Sequence, residues 1–141
     1  MIHNDKVKVI KESIKTARLK QAWEAGRVEK YFIDLGWERN LRQYVLYGKS
    51  GGSKDAIATT EAILEVIEEE VNGDPILPTI IQGDFNEVPN KLKTVKRLMD
   101  EHCWIDVGEV AHWWGGKSGV PTCHAKAGAK PSRIGWYRVQ P

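Results

Sequence analysis

The sequence predicts an α+β or α/β chain, a sheet flanked by helices, and three observations carry that reading. Two runs rich in β-branched and aromatic residues, Arg27 to Leu35 and Leu41 to Tyr47, are separated by Gly36-Trp37-Glu38-Arg39-Asn40 and read as a β-hairpin. Ile57, Thr60, Ile63, Leu64, Ile67 and Val71 recur at helical spacing, with Ser53 placed to cap the first turn, Asp55 near its positive end and Gly73 beyond the last turn. Ile76 to Gln82 is short and almost wholly apolar, which fits a strand covered on both faces. It delivers Gly83-Asp84-Phe85-Asn86 at its end.

The remaining elements follow from the same periodicities. Ile10, Ile14 and Ala17 fall at helical spacing among lysines and predict a short amphipathic helix between Val9 and Ala22. After Tyr47 the small-residue stretch Gly48-Lys49-Ser50-Gly51-Gly52-Ser53 predicts a loop that can serve function. A second helix is expected from Lys91 to His102, with Leu92, Val95, Leu98 and Met99 inward. From Trp104 onward Gly and Pro punctuate the chain, leaving room for short strands around Ile105 and Ile134.

Composition narrows the class without naming a partner. At 141 residues the chain is one domain or part of one, divided here into an N-terminal segment, residues 1–25, and a body, residues 26–141. With 21 basic and 19 acidic residues, it lacks the basic excess that announces nucleic-acid binding. No apolar run reaches the roughly 18 residues of a membrane helix, so no membrane partner is expected. The lysine-interrupted N-terminus and only two cysteines, Cys103 and Cys123, point to an intracellular protein.

Asp84 and Asn86 carry the most suggestive chemistry. On extended chain, residues two apart share a side, so a carboxylate and a carboxamide face one spot. Such a pair suits phosphate-ester hydrolysis: the carboxylate orients or deprotonates a water and the amide hydrogen-bonds a reacting oxygen. The structural alternative is that Asp84 and Asn86 end the strand through Asx-turn hydrogen bonds. For four residues alone that is the commoner outcome.

The order of several segments adds to this. Tyr44-Val45-Leu46-Tyr47-Gly48, the long helix, Pro78-Thr79-Ile80-Ile81-Gln82-Gly83-Asp84-Phe85-Asn86, Trp104-Ile105-Asp106-Val107, Thr122-Cys123 and Ser132-Arg133-Ile134 follow one another. In that order they resemble the C-terminal half of the endonuclease/exonuclease/phosphatase family, which includes apurinic and retroelement endonucleases and inositol phosphatases. The resemblance implies a partial copy of a fold with two packed sheets flanked by helices. It also implies a metal-dependent phosphodiesterase or nuclease-like domain. In it Asp84 would activate water, Asn86 would hold the scissile phosphate and Tyr47 would hydrogen-bond a phosphate oxygen, with Ser50, Thr122 and Arg133 as further substrate contacts. Mg²⁺ or Mn²⁺ is the implied cofactor, with no metal ligands assigned, and a nucleic acid or other phosphodiester is the implied substrate.

The chain departs from that pattern. Glu12, Glu24 and Glu29 do not read as the family's strand-borne metal-binding glutamate, Gly135 stands where an aspartate is expected, and no Ser-Asp-His follows. Low or no activity is therefore expected, the alternative being a non-catalytic binding or structural module. A half-sandwich would leave a sheet face bare and open to self-association.

Other candidates weigh less. His102, Cys103, His112, Cys123 and His124 have zinc-binding atoms, but no Cys-x-x-Cys occurs and adjacent pairs diverge on extended chain. Trp104, Trp113, Trp114 and Trp136 can stack on bases or pack a loop-rich core. Lys49, Lys54, Lys126 and Lys130 can meet phosphates or remain solvated.

Overall fold

The computed structural model describes residues 7–14, 16–74, 76–87 and 91–120, and the backbone of 135–139. The elements in chain order are β1 (Lys8–Glu12), α1 (Ala17–Glu24), β2 (Val28–Asp34), β3 (Asn40–Tyr47), α2 (Lys54–Gly73), β4 (Thr79–Asp84), α3 (Lys93–His102), β5 (Ile105–Asp106), a 3-10 turn (Ala111–Trp114) and β6 (Gly135–Val139). The strands form one mixed sheet in the order β1-β2-β3-β4-β6-β5. Only β3 and β4 pair in parallel, with Tyr47 level with Asp84. A parallel pair needs a crossover, and α2 supplies it.

The hairpin forms as read, antiparallel with Val28 opposite Leu46. Helix α2 also starts as read: the Ser53 hydroxyl accepts a hydrogen bond from the Ala56 N–H, 3.1 Å away, and satisfies one of the orphan amides of the first turn. Gly73 is the last residue of α2 rather than lying beyond it. Helix α3 has no cap of its own. Glu61, on α2, accepts from the Thr94 N–H at 3.1 Å and from the Thr94 hydroxyl at 2.6 Å, bringing a carboxylate to the positive end of α3. Arg97 and Glu68 join the same two helices through a pair of hydrogen bonds.

Three expectations are corrected. The chain from Lys8 to Glu12 is a strand paired with β2, and helix begins only at Ala17. The apolar spacing of Ile10 and Ile14 was coincidental: Ile10 is exposed on the edge strand and Ile14 is in the core. The apolar strand starts at Thr79, leaving Ile76 exposed, and is covered on one face: Thr79 and Ile81 are buried while Ile80 and Gln82 are only partly so. Met99 lies largely outward, because the buried stripe of α3 runs through Thr94, Val95 and Leu98.

One core cluster joins Leu19 of α1, Ile63, Leu64, Val66, Ile67 and Val71 of α2, Val95 and Leu98 of α3, and Val28, Tyr44, Leu46 and Ile81 of the sheet. Those sheet residues occupy alternate positions and share one face. The other face carries Ile33, Leu41, Val45 and Ile80 among Gln43 and Gln82, and none of these residues belongs to the core. Beside them Lys11 pairs with Glu29 at 2.9 Å, and the Tyr31 hydroxyl donates to the same carboxylate. No described helix is long and apolar enough to cross a membrane.

Candidate active site

The ends of β3 and β4 converge on one point of the sheet edge. Tyr47 and Asp84 are in-register partners at the carboxyl ends of adjacent parallel strands, where α/β sheets bind ligands, and both are exposed. Gly48 is the pivot. Its N–H donates to the Asp84 carbonyl at 2.7 Å, and its carbonyl accepts from Asn86 Nδ2 at 2.9 Å. A Cβ on Gly48 would lie 2.3 Å from the Phe85 carbonyl oxygen, so only glycine lets the two chain segments approach this closely. Gly83 is used in the same way: with φ at +146°, its missing Cβ would fall 1.9 Å from the Leu46 carbonyl oxygen. Phe85 is fully buried and anchors the turn in the core.

This geometry corrects the expected relation of Asp84 to Asn86. The chain is not extended beyond β4: Asn86 sits at φ +52°, in the left-handed region that Asn tolerates, and its N–H donates to Asp84 Oδ1 at 3.0 Å. The Asx-turn bond weighed as the structural alternative is therefore present. It still leaves chemistry available, since it engages one carboxylate oxygen, and the bond to Gly48 uses one of the two amide hydrogens of Asn86.

Tyr47, Asp84 and Asn86 thus meet at one edge. Ser50 is exposed in the loop leaving β3, and that loop is tied to α2 where the Lys49 N–H donates to Thr60 Oγ1 at 3.1 Å. Thr122 and Arg133 lie outside the described residues, as do Cys123, His124, Lys126 and Lys130. Gly135, at the expected aspartate position, is the direct cross-strand partner of Asp84. Two features escaped sequence reasoning. Gly48 has no side chain to signal its role, although a glycine closing a β-rich run was the available clue. The Arg27 guanidinium reaches the Tyr47 and Gly48 carbonyls at 3.4 Å each, a contact no local pattern encodes.

A hard divalent cation takes about six oxygen ligands. Glu12, contrary to expectation, lies on a strand, but it pairs with Lys30 at 3.6 Å. Glu29 is level with Val45 on β2, a strand not adjacent to β4, and is engaged by Lys11 and Tyr31. Among the described residues no three His, Cys, Asp or Glu side chains cluster to hold a metal, so Asp84 and its neighbours do not by themselves fit Mg²⁺ or Mn²⁺. The zinc candidates are also apart: His102 lies 3.8 Å from Glu68, Cys103 is an exposed free thiol, and His112 Nδ1 is 2.7 Å from the Ser118 hydroxyl.

No protein-family model and no curated protein matches the chain. Solved structures do. A Danio rerio TDP2 complexed with a single-stranded DNA product superposes with a TM-score of 0.57 at 14% identity, covering 96% of this chain and 54% of that one. An endonuclease/exonuclease/phosphatase family protein from Bacteroides thetaiotaomicron matches at TM-score 0.55 and 15% identity, over 81% of this chain and 41% of that one. The fold is the endonuclease/exonuclease/phosphatase fold. A mannosyl-6-phosphatase of Bacteroides thetaiotaomicron carries it too, at TM-score 0.54 and 16% identity, over 81% of this chain and 42% of that one. The chain therefore spans about half the length of the structures it matches.

Proposed function

We propose that this chain is a phosphodiester-handling half of an endonuclease/exonuclease/phosphatase-type domain, with its reactive edge at Tyr47, Asp84 and Asn86. The observation that carries the reading is the level pairing of Tyr47 with Asp84 at adjacent parallel strand ends, with Asn86 fixed against Gly48. In this arrangement the free oxygen of Asp84 accepts a proton from a water attacking phosphorus. The Tyr47 hydroxyl and the second Asn86 amide hydrogen donate to the non-bridging oxygens, where negative charge grows. The ester P–O bond breaks as the water oxygen adds, and the leaving alkoxide takes a proton from solvent and departs as the alcohol. Turnover by the chain alone is low, because the described residues do not hold a divalent ion by themselves and each catalytic contribution depends on the others. A nucleic acid is the favoured substrate class, supported by the DNA product bound to the TDP2 structure of the same fold.

A second reading rests on a specific observation: Asp84 and Asn86 are both engaged in bonds that shape their own turn. On that reading the edge binds or braces without cleaving. Plasmid nicking in Mg²⁺ or Mn²⁺ separates the two. Cleavage by the parent chain that disappears in Asp84→Ala supports catalysis, and cleavage that persists in Asp84→Ala removes Asp84 from the mechanism.

A further inference from the structure

The exposed indoles of Trp113 and Trp114 lie beyond the site described above. Their exposures are 62% and 66%, and their ring centroids stand 6.0 Å apart with planes inclined at 56°. Large apolar side chains left in water side by side mark a binding surface more often than a lone exposed residue does. The turn that carries them is well fixed. The Asp106 carbonyl accepts from the Glu109 and Val110 N–H groups at 3.0 and 3.2 Å, and Asp106 Oδ1 accepts from the Gly108 N–H at 2.9 Å. Gly116 N–H donates to the Ala111 carbonyl at 3.0 Å, and Gly119 N–H to the Gly108 carbonyl at 3.1 Å, closing the loop. His112 meets the Trp113 ring edge-on at 6.1 Å.

Topology gives the pair its direction. β6 is antiparallel to both β4 and β5, so β5 runs parallel to β4, two strands away. Adjacent strands are about 4.8 Å apart, which places β5 roughly 10 Å from β4 across the sheet. Asp106 is level with Ile81 through Arg138, and the carboxyl end of β5 faces the edge that Asp84 occupies. The aromatic turn begins within five residues of that end. Trp37 is the contrast: its exposure is 76%, it has Arg39 at 5.2 Å, and it sits on the β2–β3 hairpin at the opposite edge of the sheet.

We infer that Trp113 and Trp114 form a stacking platform for the unpaired bases of a single-stranded nucleic acid whose backbone reaches the Asp84 edge. This rests on the phosphodiester reading of that edge. Stacking suits the observations because a base needs only exposed ring surface, and both indoles are more than half exposed, and because the loop itself adds little charge, with Lys117 balanced by Glu109. Unpaired bases are required, since the faces of paired bases are hidden within the duplex.

The test is fluorescence anisotropy of a labelled oligothymidylate with the full chain in EDTA, which separates binding from cleavage. Trp113→Ala and Trp114→Ala should each weaken binding roughly 5- to 100-fold, and Trp114→Phe should recover most of the loss. Trp37→Ala should bind like the parent, and a matching duplex should bind less tightly than the single strand. The inference is overturned by oligonucleotide binding that the double alanine variant retains, by the absence of single-strand binding in the parent, or by equal loss in Trp114→Ala and Trp114→Phe. It is also overturned if the double variant changes only self-association in sedimentation, which would make the pair a protein contact. Tryptophan-dependent binding without nicking at Asp84 would sink the catalytic reading alone, and nicking with tryptophan-independent binding would sink only the platform.

Discussion

Replacing Gly48 with alanine tests the idea that one glycine holds the reactive edge together. The new Cβ would sit 2.3 Å from the Phe85 carbonyl oxygen and 2.6 Å from its carbonyl carbon, both backbone atoms of a segment anchored in the core. Relief requires β3 and the Asp84 turn to separate, which costs about 1–3 kcal/mol as overpacking does. The separation also strains the Gly48 N–H bond to Asp84 and the Asn86 bond to Gly48, each contributing about 1 kcal/mol. A total loss near 4 kcal/mol, at about 2–4 °C per kcal/mol for a chain of this size, lowers the melting temperature by roughly 10 °C. Gly73→Ala is the matched control: Gly73 closes the last turn of α2 and nothing lies within 4 Å of its added Cβ, so the substitution should not lower the melting temperature. Differential scanning fluorimetry compares the three proteins. A Gly48→Ala melt within about 2 °C of the parent would show that the two strand ends are not held by contact at Gly48.

Three further outcomes are expected. Asp84→Ala should lower the melting temperature by no more than about 4 °C, because an exposed carboxylate giving up one hydrogen bond loses about 0.5–1 kcal/mol, while any nicking is abolished; a much larger drop would make Asp84 chiefly a structural residue. Gly135→Asp puts a second carboxylate directly across from Asp84 and should give no measurable rise in nicking over the parent, with a small loss of stability from like charges; nicking above the parent's that disappears in the double variant with Asp84→Ala would refute the view of an incomplete site. Glu70 is an acid-sensitive group. Burial pushes its carboxyl up, but hydrogen bonds from Thr16 and Tyr44 at 2.5 Å each and the Lys30 ammonium at 3.3 Å outweigh that and hold it below its ordinary 4.5. Its stabilisation is therefore complete above about pH 4.5 and is lost as pH falls through the lower folded value. Urea midpoints from pH 7 to 3 should fall less steeply in Glu70→Gln, which starts lower at pH 7; parallel curves would disprove the assignment.

Local signals were legible wherever a residue's neighbours in sequence decide its state. The Ser53 cap, the apolar stripe of α2 and the hairpin flanked by aromatic and branched runs all depend on spacing within a few residues. β1 was not legible, because what makes Lys8–Glu12 a strand is its pairing with β2, beyond the whole of α1, and a lysine-rich edge strand lacks the apolar alternation of an inner one. The chemistry divides in the same way. Gly-Asp-Phe-Asn identified the strand end, but the left-handed turn at Asn86 depends on a bond to Gly48, 38 positions earlier, and no spacing rule reaches that far. The one-sided covering of β4 was hidden for a related reason, since apolar residues such as Ile80 look alike whether or not another layer lies over them.

The partly covered sheet face has a thermodynamic consequence. Among the described residues the core cluster lies on the helix side, so folding and further covering of the opposite face are separable events with separate free energies. Ile33, Leu41, Val45 and Ile80 are only partly buried in the folded chain, so part of their apolar hydration persists in the folded heat capacity. Any layer laid over those side chains releases the water and carries a negative heat-capacity change, without the chain beneath having to refold.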